Sequence, residues 1–294
     1  MKRLKRVALV GVGLIGGSFA MGLRRAGLAS TIVGFDRDAQ ALERAVSLGV
    51  IDDAADSASA AARNADFIVA AVPVRAIGPV LHDVSLTMSP NAVVTDVGST
   101  KADVVRIAGE ELRERAGRFV AGHPIAGRES SGVDAATADL FKGARVVLSP
   151  TSDTQADAVD TVRQAWESVG GRVTLLDAEA HDRIFAAVSH LPHVLAFALV
   201  SELAERPDAG DLFAFAAGGF RDFTRIAGSS PEMWRDVALQ NREALLAEID
   251  RYDARLAVFR ELIARGDGPG LERLMAEARS ARHAWGSRRA VSTE

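Results

Sequence analysis

Apolar residues in the first half of the chain form short continuous runs, and helical patterns separate these runs. The runs occupy residues 7–10, 31–35, 67–72, 92–96, 119–121 and 145–148, with one more at 173–176. Continuous runs, rather than alternation, are typical of strands that are covered on both faces. Because strands and helices alternate, the pattern predicts an α/β fold with a mostly parallel sheet and right-handed crossovers.

Strand patterns end near residue 177, and only helical patterns follow, at residues 178–205, 211–227, 231–265 and 269–284. We therefore predict two domains, an α/β domain at residues 1–177 and an all-α domain at residues 178–294. The apolar stretch 184–200 is shorter than the roughly 20 residues of a membrane span and contains two histidines, so we interpret it as a buried helix. The polar tail 286–294 is expected to be disordered.

Composition narrows the possible function classes. The 294 residues are 48% hydrophobic and 25% charged, which is the usual balance of a folded protein. The chain has no cysteine, which excludes thiol catalysis, cysteine-ligated zinc and disulfides. Its net charge of −4, with both signs interspersed, does not indicate a nucleic-acid surface. The basic and apolar start also resembles a secretory signal, but its glycines are better explained by the following motif.

A glycine-rich turn, GVGLIG at residues 11–16, directly follows the first predicted strand and opens a helix. Gly11 allows a tight turn, Gly13 lets the backbone approach a pyrophosphate, and Gly16 lets the helix pack closely on the strand. The helix N-terminus presents free N–H groups and a positive dipole end to phosphates. The context favours the fingerprint of a Rossmann-type dinucleotide-binding domain over a turn that serves packing alone.

The end of the second predicted strand indicates which dinucleotide binds. Asp36 follows the glycines where a carboxylate accepts hydrogen bonds from the ribose hydroxyls and repels the extra phosphate of NADP. The neighbouring Arg37 is able to accommodate that phosphate, so the sequence favours NAD and leaves NADP open. The residues predicted to bind the cofactor are Gly11, Gly13, Leu14, Ile15, Gly16, Asp36, Arg37, Val72 and Pro73.

Two polar segments in otherwise apolar sequence are candidates for chemistry. His123 lies at the carboxyl end of a predicted strand, where parallel sheets bind ligands, and a histidine with a pKa near neutrality accepts a proton as hydride leaves. Arg221 and Arg225 are four residues apart on one helical face, which suits a carboxylate substrate. The alternatives are a loop histidine bonded to the backbone and a surface ion pair.

Four motifs together resemble one enzyme family, the TyrA-type prephenate/arogenate dehydrogenases. They are DVGSTK at residues 96–101, GHPIAGRESSG at 122–132, SHLPH at 189–193 and GGFRDFTRIAGSSPEMW at 218–234. Four motifs in the right order behind a nucleotide fingerprint are more specific than any one of them. The resemblance covers residues 7 to about 262.

The resemblance implies a role for each matching residue. His123 matches the catalytic histidine that takes the proton of the substrate's ring hydroxyl, and Ser99 matches a serine that holds hydroxyl and histidine near the nicotinamide. Arg225 matches the arginine that binds a substrate carboxylate, with Asp222 beside it. The remaining matches lie at the pocket and its entrance, and are Glu129, His190, His193 and Trp234.

The resemblance also implies a reaction and an assembly. The reaction is the NAD-dependent oxidative decarboxylation of prephenate to 4-hydroxyphenylpyruvate, a step of tyrosine biosynthesis, with arogenate open as an alternative substrate. The assembly is a cytoplasmic homodimer with its active site between domains. We expect no separate regulatory domain, because 294 residues leave no room for one.

Other functions are less consistent with the sequence. A β-hydroxyacid dehydrogenase usually carries a catalytic lysine in its helical domain, and residues 178–294 contain no lysine. A non-catalytic NAD-binding sensor is disfavoured because His123, Ser99 and Arg225 are intact. We expect no metal, since His190 and His193 have no third ligand cluster beside them, and no nucleic-acid or membrane partner.

Overall fold

The computed structural model describes residues 3–127 and 130–291. Its eight strands form one sheet in the spatial order β3-β2-β1-β4-β5-β6-β7-β8. All neighbouring strands are parallel except the antiparallel pair β6 and β7. The strands are β1 Leu4–Val10, β2 Ala29–Phe35, β3 Asp53–Ala54, β4 Phe67–Ala70, β5 Val93–Asp96, β6 Phe119–Pro124, β7 Arg145–Ser149 and β8 Arg172–Leu175. The predicted mostly parallel Rossmann-type sheet is confirmed.

Helices connect the strands and then continue alone after β8. Those of the α/β part are α1 Leu14–Arg25, α2 Ala39–Ser47, α3 Ala58–Ala62, α4 Ile77–Ser85, α5 Ala102–Leu112 and α6 Ala156–Ser168. Those that follow β8 are α7 Ala178–Phe185, α8 Leu191–Ala204, α9 Ala209–Ala214, α10 Gly218–Thr224, α11 Pro231–Gln240, α12 Arg242–Arg265 and α13 Gly268–Val291. One π-helical turn, Ala186–His190, joins α7 to α8.

The hydrophobic core lies on both faces of the sheet. On β1, Val7 and Leu9 belong to one apolar cluster, and Ala8 and Val10 belong to another. This division by alternate residues places one cluster on each face. Burial on both faces explains the continuous apolar runs in the sequence, and it holds the carboxyl ends of the central strands in fixed positions.

Three helical predictions need correction. The pattern at 231–265 is two helices, α11 and α12, because the chain breaks at Asn241. The pattern at 211–227 is α9, α10 and a 3₁₀ turn, Arg225–Gly228, since Gly218 and Gly219 weaken a continuous helix. The tail is helical through Val291 rather than disordered, and Arg282 lies over the Trp285 ring at 4.6 Å within this last helix. Residues 292–294 lie outside the described residues.

The apolar stretch 184–200 belongs to a longer helical run than predicted. The run Ala178–Ala204 has 27 residues and is long and apolar enough to cross a membrane, by length and composition only. Only 22% of its most apolar window is buried within the chain. The prediction of a buried helix is therefore wrong for the single chain, in which most residues of 184–200 are only half-buried.

The described chain divides into two compact units, one ending at Arg242 and the other beginning at Glu243. The first contains the sheet and the helices through α11, and the second contains nearly all of α12 and the whole of α13. This division follows compactness alone, and the domain boundary near residue 177 stays a prediction.

Candidate active site

The glycine turn between β1 and α1 has the shape that a dinucleotide requires. Gly11 adopts a φ of +96°, which favours glycine, and a Cβ on Gly16 would lie 2.2 Å from the carbonyl oxygen of Gly11. A Cβ on Gly13 would meet no atom within 4 Å. Gly13 is the N-cap residue of α1, and no side chain there bonds the free N–H groups of the first helical turn. The positive end of the helix is therefore open to a ligand. The turn fits a pyrophosphate.

A first cavity of about 630 Å³ extends from this turn past the end of β2. Asp36 and Arg37, which are predicted from the sequence to bind the cofactor, line it together with Gly11, Gly13, Val72 and Pro73. The Asp36 carboxylate accepts hydrogen bonds from Val12 N–H at 2.9 Å and from Asp38 N–H at 3.1 Å. These two bonds hold the carboxylate at the cavity edge, where it can meet the ribose hydroxyls of a dinucleotide.

A second cavity of about 520 Å³ joins the cofactor residues to the chemical ones. Gly13, Val72 and Pro73 line both cavities. Of the other predicted residues, Leu14, Ile15, Ser99 and His123 line the second one. The carboxyl ends of β1, β4, β5 and β6 converge here, which is where open parallel sheets bind ligands.

His123 lies at the start of a buried chain of hydrogen bonds. Its Nδ1 is 2.8 Å from His181 Nε2, and His181 Nδ1 is 2.7 Å from Asp182 Oδ1. The Asp182 carboxylate also accepts the backbone N–H of Lys101 at 2.8 Å and that of Ala102 at 2.9 Å. These N–H groups belong to the first turn of α5, whose positive end stabilises the carboxylate.

The protonation state of His123 follows from this environment. Burial lowers the pKa of His123 well below its usual value of 6.5, and the nearby His181, Lys101 and His190 lower it further. The expectation of a pKa near neutrality is therefore wrong in its value. The neutral form that a general base requires is the stable one at physiological pH.

A buried ion pair fixes the backbone beside His123. Lys101 Nζ donates to Asp96 Oδ2 at 2.5 Å and to the Gly122 carbonyl oxygen at 2.6 Å, and both side chains are fully buried. The other oxygen of Asp96 accepts Gly122 N–H at 2.9 Å. The pair thus joins the end of β5 to β6 immediately before His123.

A second histidine cluster surrounds Trp234. His193 stacks on the Trp234 ring with centroids 3.5 Å apart, and His190 meets the same ring edge-on at 6.0 Å. Asn241 Nδ2 donates to the Asp182 carbonyl oxygen at 2.8 Å, which fixes its amide, and lies 3.0 Å from His190 Nδ1. Burial lowers the pKa of His190 to about 4, so His190 is neutral and carries its proton on Nε2.

This cluster carries two buried donors. Among the described residues, the Nε2 of His190 and the Nε1 of Trp234 have no hydrogen-bond partner. Buried N–H groups are otherwise nearly always paired.

Of the predicted substrate-binding residues that the structure describes, none lines either cavity. The Asp222 side chain is 81% exposed and lies 3.8 Å from Arg221, which matches the surface ion pair considered from the sequence. Arg225 is exposed in the 3₁₀ turn after α10. The pKa of His193 is lowered by burial first and also by the charge of Arg225. Glu129 lies outside the described residues, and these assignments stay predictions.

Sequence reasoning missed His181, Asp182 and Asn241. Asp182 lies 81 residues after Lys101, and Asn241 lies 51 residues after His190, so no local pattern joins either pair. The one available signal is an adjacent histidine and aspartate in the first turns of a helix capped by Asp177. Within the described residues no group of three or more histidine, aspartate or glutamate side chains could hold a metal ion.

A dinucleotide-binding turn and a neutral histidine that line the same cavity are the arrangement of a nicotinamide-dependent dehydrogenase. Family models support this class. The nucleotide-binding domain model of prephenate dehydrogenase matches residues 19–175, and the dimerization domain model matches residues 177–277. The chain belongs to the prephenate dehydrogenase family, which confirms the predicted family and the prediction of an NAD-dependent oxidoreductase.

Individual relatives agree with the family models. The chain is 36% identical to the cyclohexadienyl dehydrogenase of Zymomonas mobilis, over 96% of each chain. It is 36% identical to the prephenate dehydrogenase of Bacillus subtilis, over 94% of this chain and 75% of the relative. Prephenate dehydrogenase of A. aeolicus, solved in complex with hydroxyphenyl propionate and NAD+, matches with a TM-score of 0.89 and 40% identity, covering 95% of this chain and 98% of that one.

Proposed function

We propose that this protein is an NAD-dependent prephenate dehydrogenase that converts prephenate to 4-hydroxyphenylpyruvate with loss of carbon dioxide. One observation carries the proposal: neutral His123 lines the same cavity as Gly13, where α1 presents its positive end. A proton acceptor and a dinucleotide site meet there, as hydride removal from a hydroxyl-bearing carbon requires.

The chemistry of the substrate explains why the reaction needs only a few side chains of the protein. Prephenate is a cyclohexadiene with a 4-hydroxyl, a ring carboxylate and a pyruvyl side chain. NAD, when bound, supplies the acceptor for the hydride of C4. His123 takes the hydroxyl proton, and Ser99, which lines the same cavity, orients that hydroxyl. Loss of carbon dioxide from the resulting dienone restores an aromatic ring and makes the reaction effectively irreversible.

The substrate's carboxylates need cationic or donor groups near the second cavity. We assign this role to Arg225, with Asp222 and Glu129 at the entrance. We also assign His190, His193 and Trp234 to substrate binding, and the unpaired donors of His190 and Trp234 support this assignment. The charge of Arg225 acts on His193, which is consistent with an arginine close to these residues.

The alternative activity is oxidation of arogenate, which carries an amino group where prephenate carries a ketone. The similarity to a cyclohexadienyl dehydrogenase over 96% of the chain favours testing it. Asp36, held by two backbone N–H groups at the first cavity, favours NAD over NADP because a carboxylate there repels the 2′-phosphate.

A matrix of two substrates and two cofactors tests these assignments together. We expect the highest kcat/KM with prephenate and NAD, formation of NADH, and 4-hydroxyphenylpyruvate as the product. A higher kcat/KM with arogenate would assign the alternative activity. No turnover of either substrate with either cofactor would contradict the proposed function.

We further propose that the enzyme acts as a cytoplasmic homodimer. The dimerization domain model matches residues 177–277, and the helical run Ala178–Ala204 exposes apolar side chains such as Val188, at 66%. A second copy of the chain would cover them. The cytoplasmic location rests on the resemblance to this family.

A further inference from the structure

We propose that His181 and Asp182 are positioning residues that fix the tautomer of His123 and the orientation of its ring. The inference deepens the proposed dehydrogenase function and rests on it. It starts from two short hydrogen bonds, His123 Nδ1 to His181 Nε2 at 2.8 Å and His181 Nδ1 to Asp182 Oδ1 at 2.7 Å.

The Asp182 carboxylate determines the direction of both bonds. Its two oxygens accept the backbone N–H groups of Lys101 and Ala102, at the positive N-terminus of α5, so the group is an ionised acceptor. His181 must therefore carry its proton on Nδ1 and donate it to Asp182. Its Nε2 is then a lone pair that accepts a hydrogen bond from His123.

His123 is left with one possible neutral form. Its proton lies on Nδ1, where it is donated to His181, and its Nε2 carries the lone pair. Nε2 is the ring nitrogen that remains for a hydroxyl in the second cavity, which His123 lines. In the opposite tautomer Nε2 would carry a hydrogen and could not accept the substrate's proton.

Packing holds the three groups in this order. The Phe185 ring stacks on the His181 ring at 4.4 Å and lies at 4.8 Å from the His123 ring. Phe185 lies one helical turn after His181 on α7, so the same face of the helix presents both rings. His181 is fully buried and Asp182 is 5% exposed, which keeps both groups from exchanging these bonds for water.

The same chain of bonds supports the proton transfer. The hydroxyl O–H bond breaks and the Nε2–H bond of His123 forms, while the hydride of C4 leaves to NAD. Through this step His123 Nδ1–H stays donated to His181 Nε2, and His181 Nδ1–H stays donated to Asp182, so the His123 ring keeps its orientation as it becomes charged.

Nitrogen-15 NMR of the substrate-free protein tests the tautomer directly. The chain has six histidines, and single substitutions assign their ring nitrogens. In the unmodified protein we expect His123 to be protonated on Nδ1 and unprotonated on Nε2, with His181 in the same form. Finding His123 protonated on Nε2 would overturn the proposal.

A pair of substitutions separates positioning from mere packing. H181F retains an aromatic ring against Phe185 but removes the acceptor, and H181Q retains an acceptor for His123. We expect H181F to lower kcat about 100-fold, the lower end of general-base contributions, with KM for prephenate changed less than about threefold. H181Q should recover most of kcat, and H181F should show a mixed His123 tautomer in the NMR spectrum.

The matched control is H82Q, at a histidine that is 61% exposed and far from this chain of bonds in sequence, and it should retain full activity. Equal losses in H181F and H181Q, with the His123 tautomer unchanged in both, would assign a structural role and overturn the proposal. Failure of the proposed function is distinguishable. It would appear as no prephenate turnover by the unmodified enzyme, whereas the NMR result needs no substrate.

Discussion

At the scale of single residues, His123 owes its chemistry to groups that are distant in the sequence. Burial and the neighbouring His181, Lys101 and His190 lower the pKa of its ring. The bond to His181 determines which nitrogen is free. A histidine in the same strand position without these neighbours would be partly protonated at neutral pH, and its tautomer would not be fixed.

The lowered pKa predicts a specific pH profile. We expect kcat/KM to be constant near neutral pH and to fall only below pH 6.5, since His123 must be neutral to accept the proton and its pKa lies well below that value. The measurement is kcat/KM for prephenate at saturating NAD between pH 5 and 8. An acidic limb centred above pH 7 would contradict the assigned environment of His123.

Substitution of Arg225 tests the assigned carboxylate ligand. We expect R225A to raise KM for prephenate about tenfold or more while changing kcat less than about threefold, because a charge-assisted hydrogen bond to substrate is lost. R221A is the matched control, since its exposed side chain lies 3.8 Å from Asp222 on the same segment and it should leave KM unchanged. An unchanged KM in R225A would remove Arg225 from the site.

Among the secondary-structure elements, the sequence predicts those that depend on residues adjacent in the chain. The glycine turn and the continuous apolar strands follow from residues that are adjacent in the chain, and the structure has them at the predicted places. The pairing of α5 with Asp182 is not predictable in this way, because a helix N-terminus gives no sign of which distant carboxylate it holds.

The break between α11 and α12 illustrates the same limit. The pattern of residues 231–265 predicts one helix, since an asparagine such as Asn241 has a moderate helix propensity and does not by itself end a helix. In the structure the Asn241 amide bonds the Asp182 carbonyl oxygen and His190, and the chain leaves helical geometry there. The partners of Asn241 lie in α7 and in the π-helical turn, 59 and 51 residues earlier in the chain.

The run from α7 to α8 makes the protein sensitive to acid. Burial lowers the pKa of His190 to about 4, and it also lowers those of His181 and His193. A folded-state pKa below the unfolded value means that the unfolded state binds protons first, so stability is lost as pH falls from 6.5 toward 4.

Between pH 7 and pH 5, we expect the lowered pKa of His190 alone to decrease the free energy of unfolding by about 2 kcal/mol. Urea unfolding at both values measures the loss, and H190N should reduce it, whereas H82N should not. A free energy of unfolding that is equal at pH 7 and pH 5 would contradict the neutral, buried state of His190.

In the whole molecule, a single chain leaves many apolar residues of the helical run Ala178–Ala204 exposed. The proposed homodimer covers them. We expect V188E to shift the protein from dimer to monomer in sedimentation experiments at micromolar concentration, because a charge would be buried without a partner. S152E places the same charge at an exposed position of the α/β part and should leave the dimer intact. Monomeric unmodified protein would contradict the assembly.

In the proposed reaction, neutral His123 removes the hydroxyl proton of prephenate, and its substitution tests this role directly. The quantity to measure is kcat for NADH formation from prephenate by the unmodified enzyme, by H123N and by the surface control H82N. We expect H82N to retain full kcat and H123N to lose at least about 100-fold, since a general base contributes at least this factor. An H123N enzyme that folds and retains full kcat would exclude His123 as the base.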